Sequence, residues 1–145
     1  MTPKLPRSIL VVIHAWDAEV LLLERADRPG FWQSVTGSLE IGETPLAAAI
    51  REVKEETGLE PTAETLVDWR LSNRFEIFPQ WRHRYATGVE HNVEHVFGLR
   101  LANASPIILS DEHLDCSWLP WRQAAAKCFS WSNRDAILML GDAPP

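Results

Sequence analysis

Apolar positions change period several times along the chain, and each change marks an element. Ser8–Ile13 (SILVVI) and Val20–Glu24 (VLLLE) read as two strands joined across a turn at Asp17–Glu19. Both are nearly continuous apolar runs rather than alternations, so both faces of the sheet are expected to be covered. Arg28–Gly30 reads as a turn, Phe31–Thr36 as a short extended segment, and Gly37–Glu43 as a polar loop. The period then becomes helical: Leu46, Ile50, Val53 and Thr57 recur at a spacing that lines one face. Thr44 suits the N-cap, Pro45 the first helical position and Gly58 the left-handed residue that ends the helix. Further strands are expected at Glu64–Leu71, Phe75–Phe78, Val93–Leu101 and Cys116–Leu119, and a helix at Trp121–Cys128. Ser132 is expected to cap a last helix over Asn133–Leu140, with Asp135 completing a capping box. Met1–Pro6 and Ala143–Pro145 read as loose ends. Strands and helices do not alternate regularly, which predicts an α/β (α+β) domain over 1–145 with one mixed sheet and helices on its faces.

Composition narrows this picture only a little. At 145 residues, with 46% hydrophobic and 23% charged positions, the chain is long enough for one core without disulfides. The apolar runs are too short to span a bilayer and no signal-like leader is visible, so a cytoplasmic protein without a membrane partner is expected. Cys116 and Cys128 show no metal-binding or redox spacing and read as reduced thiols. A formal net charge of -6 argues against a nucleic acid polymer as partner. It also means that any polyphosphate ligand needs local Lys and Arg groups or a bound cation.

The candidate chemistry lies on the helix. Glu52, Glu55 and Glu56 stand at i, i+3 and i+4, within an arc of roughly 100°. Like charges so placed destabilise a helix by a few tenths of a kcal/mol per pair. Carboxylate oxygens in such a group suit Mg²⁺, with Mn²⁺ as a possible substitute. Ala48, one turn earlier on the same face, leaves space. An alternative is a solvated acidic face partly neutralised by Arg51 and Lys54.

The flanking residues decide between these readings. From Gly37 the chain runs Gly-x5-Glu43-x7-Arg51-Glu52-Val53-x-Glu55-Glu56-x-Gly58-Leu59, filling all nine specified positions of a 23-residue pattern. This resembles the Nudix box in full. The resemblance implies an α/β/α sandwich in which the box forms a loop–helix–loop. It implies that Glu52, Glu55 and Glu56 bind divalent ions, with Glu52 and Glu56 as principal ligands and Glu55 as shared ligand or base. Arg51 would clamp them, and Gly37 would let the backbone approach the metal. Such ions neutralise a diphosphate and acidify water for an in-line attack at phosphorus. Glu112, in the polar insert Ser110–Leu114, is the candidate for a further catalytic carboxylate and metal ligand, with Asp111 and Asp115 as competitors.

Phe31–Gly37, Phe75–Phe78, Arg82–Tyr85, Glu112–Leu114 and Ser130–Arg134 are similar to segments of the bacterial dihydroneopterin triphosphate pyrophosphatases of folate synthesis. That likeness runs from about Lys4 to Ile137 and implies a small-molecule triphosphate substrate cut to a monophosphate and pyrophosphate. Phe75, Glu76, Ile77 and Phe78 are then candidates to hold the pterin. Lys4, Arg25 and Arg84 are candidates for the phosphate tail, with Thr36 and Ser130 as hydroxyl contacts. At i, i+3 in one strand Phe75 and Phe78 would face opposite sides, placing one of them in the core. A nucleoside triphosphate or dinucleoside polyphosphate pyrophosphohydrolase is the alternative enzyme. A binding-only Nudix domain is disfavoured because all the box carboxylates are present. Seven tryptophans are many for this length. Those other than Trp32 and Trp131 read as core or interface aromatics, and either a monomer or a homodimer remains open.

Overall fold

The computed structural model describes residues 2–141. One mixed sheet carries seven strands: β1 (Arg7–Ala15), β2 (Glu19–Arg25), β3 (Trp32–Gln33), β4 (Val35–Ser38), β5 (Leu66–Glu76), β6 (His91–Leu101) and β7 (His113–Pro120). The main path is β3-β2-β1-β6-β5, while β4 pairs with β1 and β7 with β2. β1 runs parallel to β6 and antiparallel to β2 and β4.

Helices cover both faces, which is why β1 and β2 lack alternation. Ile9, Val11, Ile13, Leu21 and Leu23 pack with Ala48, Ala49 and Val53 of α1 (Pro45–Thr57). Leu10, Val12, Val20 and Leu22 point the other way, onto Ala124, Ala125, Ala136 and Ile137 of α2 (Trp121–Lys127) and α3 (Trp131–Leu138). An α/β/α sandwich results, as expected. Val53 and Thr57 of the helical stripe are fully buried; Leu46 and Ile50 are half-buried around them.

Several boundaries differ from the sequence expectation. The segments expected at Glu64–Leu71 and Phe75–Phe78 are one strand, β5, interrupted by a bulge between Asp68 and Leu71 where Arg70 takes a positive φ of 52°. β5 ends at Glu76, and Pro79–Arg84 forms a 3₁₀ turn. Ser130, not Ser132, caps α3 by accepting from the Asn133 N–H (3.3 Å). Ser132 is buried inside the helix, and Asp135 pairs with Arg134 instead of completing a capping box. The N-terminal segment is tied down rather than loose: the Lys4 N–H donates to the Arg84 carbonyl (2.8 Å) and the Val93 N–H to that of Pro6 (3.0 Å). Ala143–Pro145 lies outside the described residues. Trp16 is 66% exposed beneath the Arg100 guanidinium, so it is not a core aromatic. Cys116 and Cys128 are free thiols, and burial pushes Cys128 up to about 12. Among the described residues no helix is long and apolar enough to cross a membrane.

Candidate active site

The site begins with how α1 is fixed. Thr44 Oγ1 accepts from the Ala47 N–H (3.2 Å), and Gly58 closes the helix at φ 75°, its N–H donating to the Lys54 carbonyl (3.0 Å). Packing Ala48, Ala49 and Val53 onto the sheet carries Glu52 and Glu56 inward with them, leaving 9% and 1% of each exposed, while Glu55 stays in solvent. The acidic arc is therefore split: two carboxylates are desolvated against the end of β4 and one stands at the surface.

Gly37 makes room for this. A Cβ placed on Gly37 would overlap the Glu52 carboxylate. Arg51 holds the opposite side, donating through Nε and Nη2 to the two Glu43 oxygens (2.9 and 2.8 Å) and through Nη2 to the Ser38 carbonyl (3.1 Å). Its Nη1 faces Glu52 at 3.5 Å and Glu55 at 3.6 Å. The guanidinium thus ties the loop before α1 to the carboxylates on it.

Glu52 and Glu56 sit in surroundings that oppose their charge. Burial, aided by Glu55 and Glu112 and opposed by Arg51, pushes Glu52 up to about 8. Burial pushes Glu56 well above the usual carboxylate range, and the charges of Glu52 and Glu112 add to it. Neither Glu56 oxygen has a hydrogen-bond partner; His113 Nε2 stands 3.6 Å from Oε1. Burial, then the Arg25 charge, holds His113 down at about 4, so the imidazole is neutral. Among the described residues no three His, Cys, Asp or Glu side chains are gathered as a preformed ion cage. The donor set nonetheless fits a divalent cation. Orphaned, desolvated carboxylate oxygens and a glycine that leaves their approach open are what such an ion would compensate.

A cavity of about 980 Å³ opens beside these carboxylates. Gly37, Arg51, Glu52, Glu55 and Glu112 line it, and Glu56 does not reach it. Lys4, Arg25 and Arg84 line it too, the two arginines holding Asp27 between them. Arg25 donates to both Asp27 oxygens (2.7 Å each) and Arg84 Nη2 to one (2.9 Å). Burial and its cationic neighbours Arg84 and Arg25 lower Lys4. Thr36 lines the wall, but its hydroxyl already donates to the Ile9 carbonyl (2.8 Å).

Phe75, Ile77 and Phe78 line the same cavity, with Glu76 and Ser130. The expectation that Phe75 or Phe78 enters the core fails because the strand stops between them, turning both rings to the cavity. Glu76 lies at the rim, its carboxylate engaged by Arg82 Nη2 (2.6 Å).

Other lining residues were not legible in the sequence. Trp81 stacks on Phe78 (5.4 Å between centroids, 10° between planes), packs edge-on against Phe129 and lies under Arg25. Asn92, Glu94 and Asn133 form a buried polar floor. A buried Glu on an apolar strand was the available signal, and it lay in Asn92-Val93-Glu94-His95-Val96.

The sandwich, the loop–helix–loop and the paired buried glutamates define a class, and a family model agrees. The NUDIX domain matches residues 4–140, and the chain belongs to this family. It is 53% identical over 137 residues to the dihydroneopterin triphosphate diphosphatase of Escherichia coli (strain K12), covering 92% of this chain and 91% of that one. A dihydroneopterin triphosphate diphosphatase from Haemophilus influenzae is 42% identical over 134 residues, covering 90% and 84%. The solved structure of the E. coli dihydroneopterin triphosphate pyrophosphohydrolase superposes with a TM-score of 0.93 at 50% identity, covering 99% of this chain and all of that one. Members of this hydrolase family generally use divalent metal ions.

Proposed function

We propose that this protein hydrolyses dihydroneopterin triphosphate to dihydroneopterin monophosphate and pyrophosphate. The observation that carries the reading is one cavity lined by aromatic rings, a cluster of cations and a buried carboxylate together. The names of relatives at 53% and 42% identity support it.

A flat pterin suits Phe75, Phe78 and Trp81, whose rings can stack on it. The triphosphate then extends towards Lys4, Arg25 and Arg84, which offset its charge and fix its direction. Glu52 and Glu56 are the principal ligands for Mg²⁺, with Glu55 and Glu112 as further oxygen donors and Gly37 keeping the approach open. When bound, the cation supplies charge neutralisation at the diphosphate and makes water a stronger nucleophile. Arg51 holds Glu52 and Glu55 in place throughout. Glu112, exposed at the cavity edge, is free to accept the proton of the attacking water as the α–β phosphoanhydride bond breaks. The geometry before attack supplies much of the rate, as in phosphoryl transfer generally. Cytoplasmic location accords with a soluble substrate of this kind.

A substrate panel with Mg²⁺ tests this: dihydroneopterin triphosphate, the eight common ribo- and deoxyribonucleoside triphosphates, 8-oxo-dGTP and diadenosine tetraphosphate. The pterin is expected to have the highest kcat/KM. A nucleotide that exceeds it by tenfold overturns the assignment.

A further inference from the structure

The cavity floor carries two acceptors that the fold leaves unused. Glu94 is 5% exposed and Asn92 3%, yet both line the cavity. They are two residues apart on β6 and so share one face of the sheet. Asn92 Nδ2 donates to Ser8 Oγ (2.6 Å), which fixes the amide so that Oδ1 is the atom left over. Neither Asn92 Oδ1 nor Glu94 Oε1 has a hydrogen-bond partner. Burying an unpaired acceptor is unfavourable, and more so for a charged group. Nothing in the core explains the expense: β6 runs on into Val96 and Phe97, both buried, and an apolar residue at 94 would continue that packing.

We propose that Glu94, seconded by Asn92, is the residue that selects the heterocycle, by accepting from an edge that presents two adjacent N–H donors. The 2-aminopyrimidin-4-one edge is of this kind, with a ring N–H beside an exocyclic amine, and a carboxylate accepts from both at once. This deepens the pterin reading and rests on it for the substrate's name. The chemistry is broader, because guanine presents the same edge. Adenine does not: it offers a donor beside an acceptor, and a carboxylate facing that acceptor repels it. Glu76 at the rim is already engaged by Arg82 and is exposed, so it is the weaker reader. Burial raises Glu94 to about 7 against the pull of the Ser132 hydroxyl, as befits a carboxyl awaiting donors.

The test measures kcat/KM for dihydroneopterin triphosphate, GTP and ATP in the wild type, Glu94→Gln and Glu94→Ala, together with inhibition by inorganic tripolyphosphate. Losing one good bidentate contact is expected to lower kcat/KM for the pterin and GTP between about 5- and 150-fold. It is expected to leave the tripolyphosphate inhibition constant within about twofold and ATP turnover unchanged or raised, since the repulsion of adenine is relieved, a split that a merely structural role would not produce. Glu94→Gln keeps the side-chain volume, so its melting temperature shows whether any loss reflects unfolding. Equal loss for all three substrates, weaker tripolyphosphate binding in parallel, or no change for the pterin and GTP overturns the proposal. So does a wild type that prefers ATP to both. If GTP beats the pterin while Glu94→Gln still erases the preference of GTP over ATP, the pterin assignment fails and the role of Glu94 stands.

Discussion

Gly37→Ala isolates the geometry on which the proposed metal site depends. The new methyl would occupy the position of the Glu52 carboxylate, whose Arg51 side is already filled. To regain a contact of about 3.5 Å the carboxylate must retreat on the order of 2 Å. Misplacement by about 1 Å of a group that positions reactants costs on the order of 10²-fold in rate. A loss of at least that size, about 2.7 kcal/mol in the barrier, is therefore expected. Stability should change less. Overpacking costs about 1–3 kcal/mol, while replacing glycine by alanine returns about 0.4–1 kcal/mol from the unfolded chain. Pyrophosphate release would be followed across a Mg²⁺ titration, with melting curves in parallel. Glu52→Asp shortens the side chain and should be less harmful in the Gly37→Ala background than in the wild type, a non-additivity expected only of residues in contact. Activity within threefold of wild type, or strict additivity of the two substitutions, would refute the reasoning.

Glu56→Gln is expected to lower turnover by several orders of magnitude while leaving the metal-free melting temperature unchanged or higher, since Glu56 is buried without hydrogen-bond partners; a large fall in melting temperature with activity intact would count against its role as ligand. Arg51→Lys loses the forked contact to Glu43 and should reduce activity or Mg²⁺ affinity about 10–100-fold, measurable as a shifted metal titration. Metal-free stability should fall as pH rises from 6.5 to 8. Glu52 (about 8) and Glu94 (about 7) hold protons in the folded state that the unfolded chain has already released, so their stabilising effect is present at low pH and lost through that window. His113, held at about 4, acts in the opposite sense but only below its unfolded value near 6.5, so it does not mask the slope. Saturating Mg²⁺ should flatten or reverse the trend, because binding requires the ionised carboxylates; metal-free melting curves flat or rising over this range would contradict it.

Much of this site was legible because it is local. A cap at Thr44, an end at Gly58 and the spacing of three glutamates lie within one helix, and helical geometry converts spacing into direction. Burial was not legible: the same pattern allows all three carboxylates in solvent, and only packing of α1 on β1 and β4 sends Glu56 inward and leaves Glu55 outside. Phe75 and Phe78 show the reverse failure. Their orientation followed from an uninterrupted strand, whereas the chain leaves the sheet after Glu76 for the turn begun by Pro79. The last helix was displaced at its cap because Ser130 and Ser132 both suit that position. Tertiary contacts decided it, with the Ser34 N–H donating to Asn133 Oδ1 (2.8 Å) and Asn133 Nδ2 to Ser34 Oγ (2.9 Å). Glu94 and Trp81 were harder to read for a simpler reason. Each joins the cavity through partners distant in sequence; a glutamate among strand residues was the one local sign of Glu94, and nothing local marks Trp81.

The charge of the protein and the charge of its proposed substrate can now be reconciled. A chain of net -6 would repel a triphosphate if its charges were spread evenly. They are not: Lys4, Arg25 and Arg84 all line the cavity, and Asp27 is the acid that holds two of them in place rather than a competitor for the ligand. Glu52 and Glu56 in turn resist ionisation, so the metal-free site is less negative at neutral pH than its sequence suggests. At neutral pH a bound cation would draw out their full charge. In the proposed site anion and cation would therefore favour each other's binding, since a bound metal would screen the carboxylates from the phosphates and the phosphates would offer it further oxygen donors. This accounts for a helix whose carboxylates are destabilising on their own: the repulsion is what makes occupancy of the site depend on both ligands together.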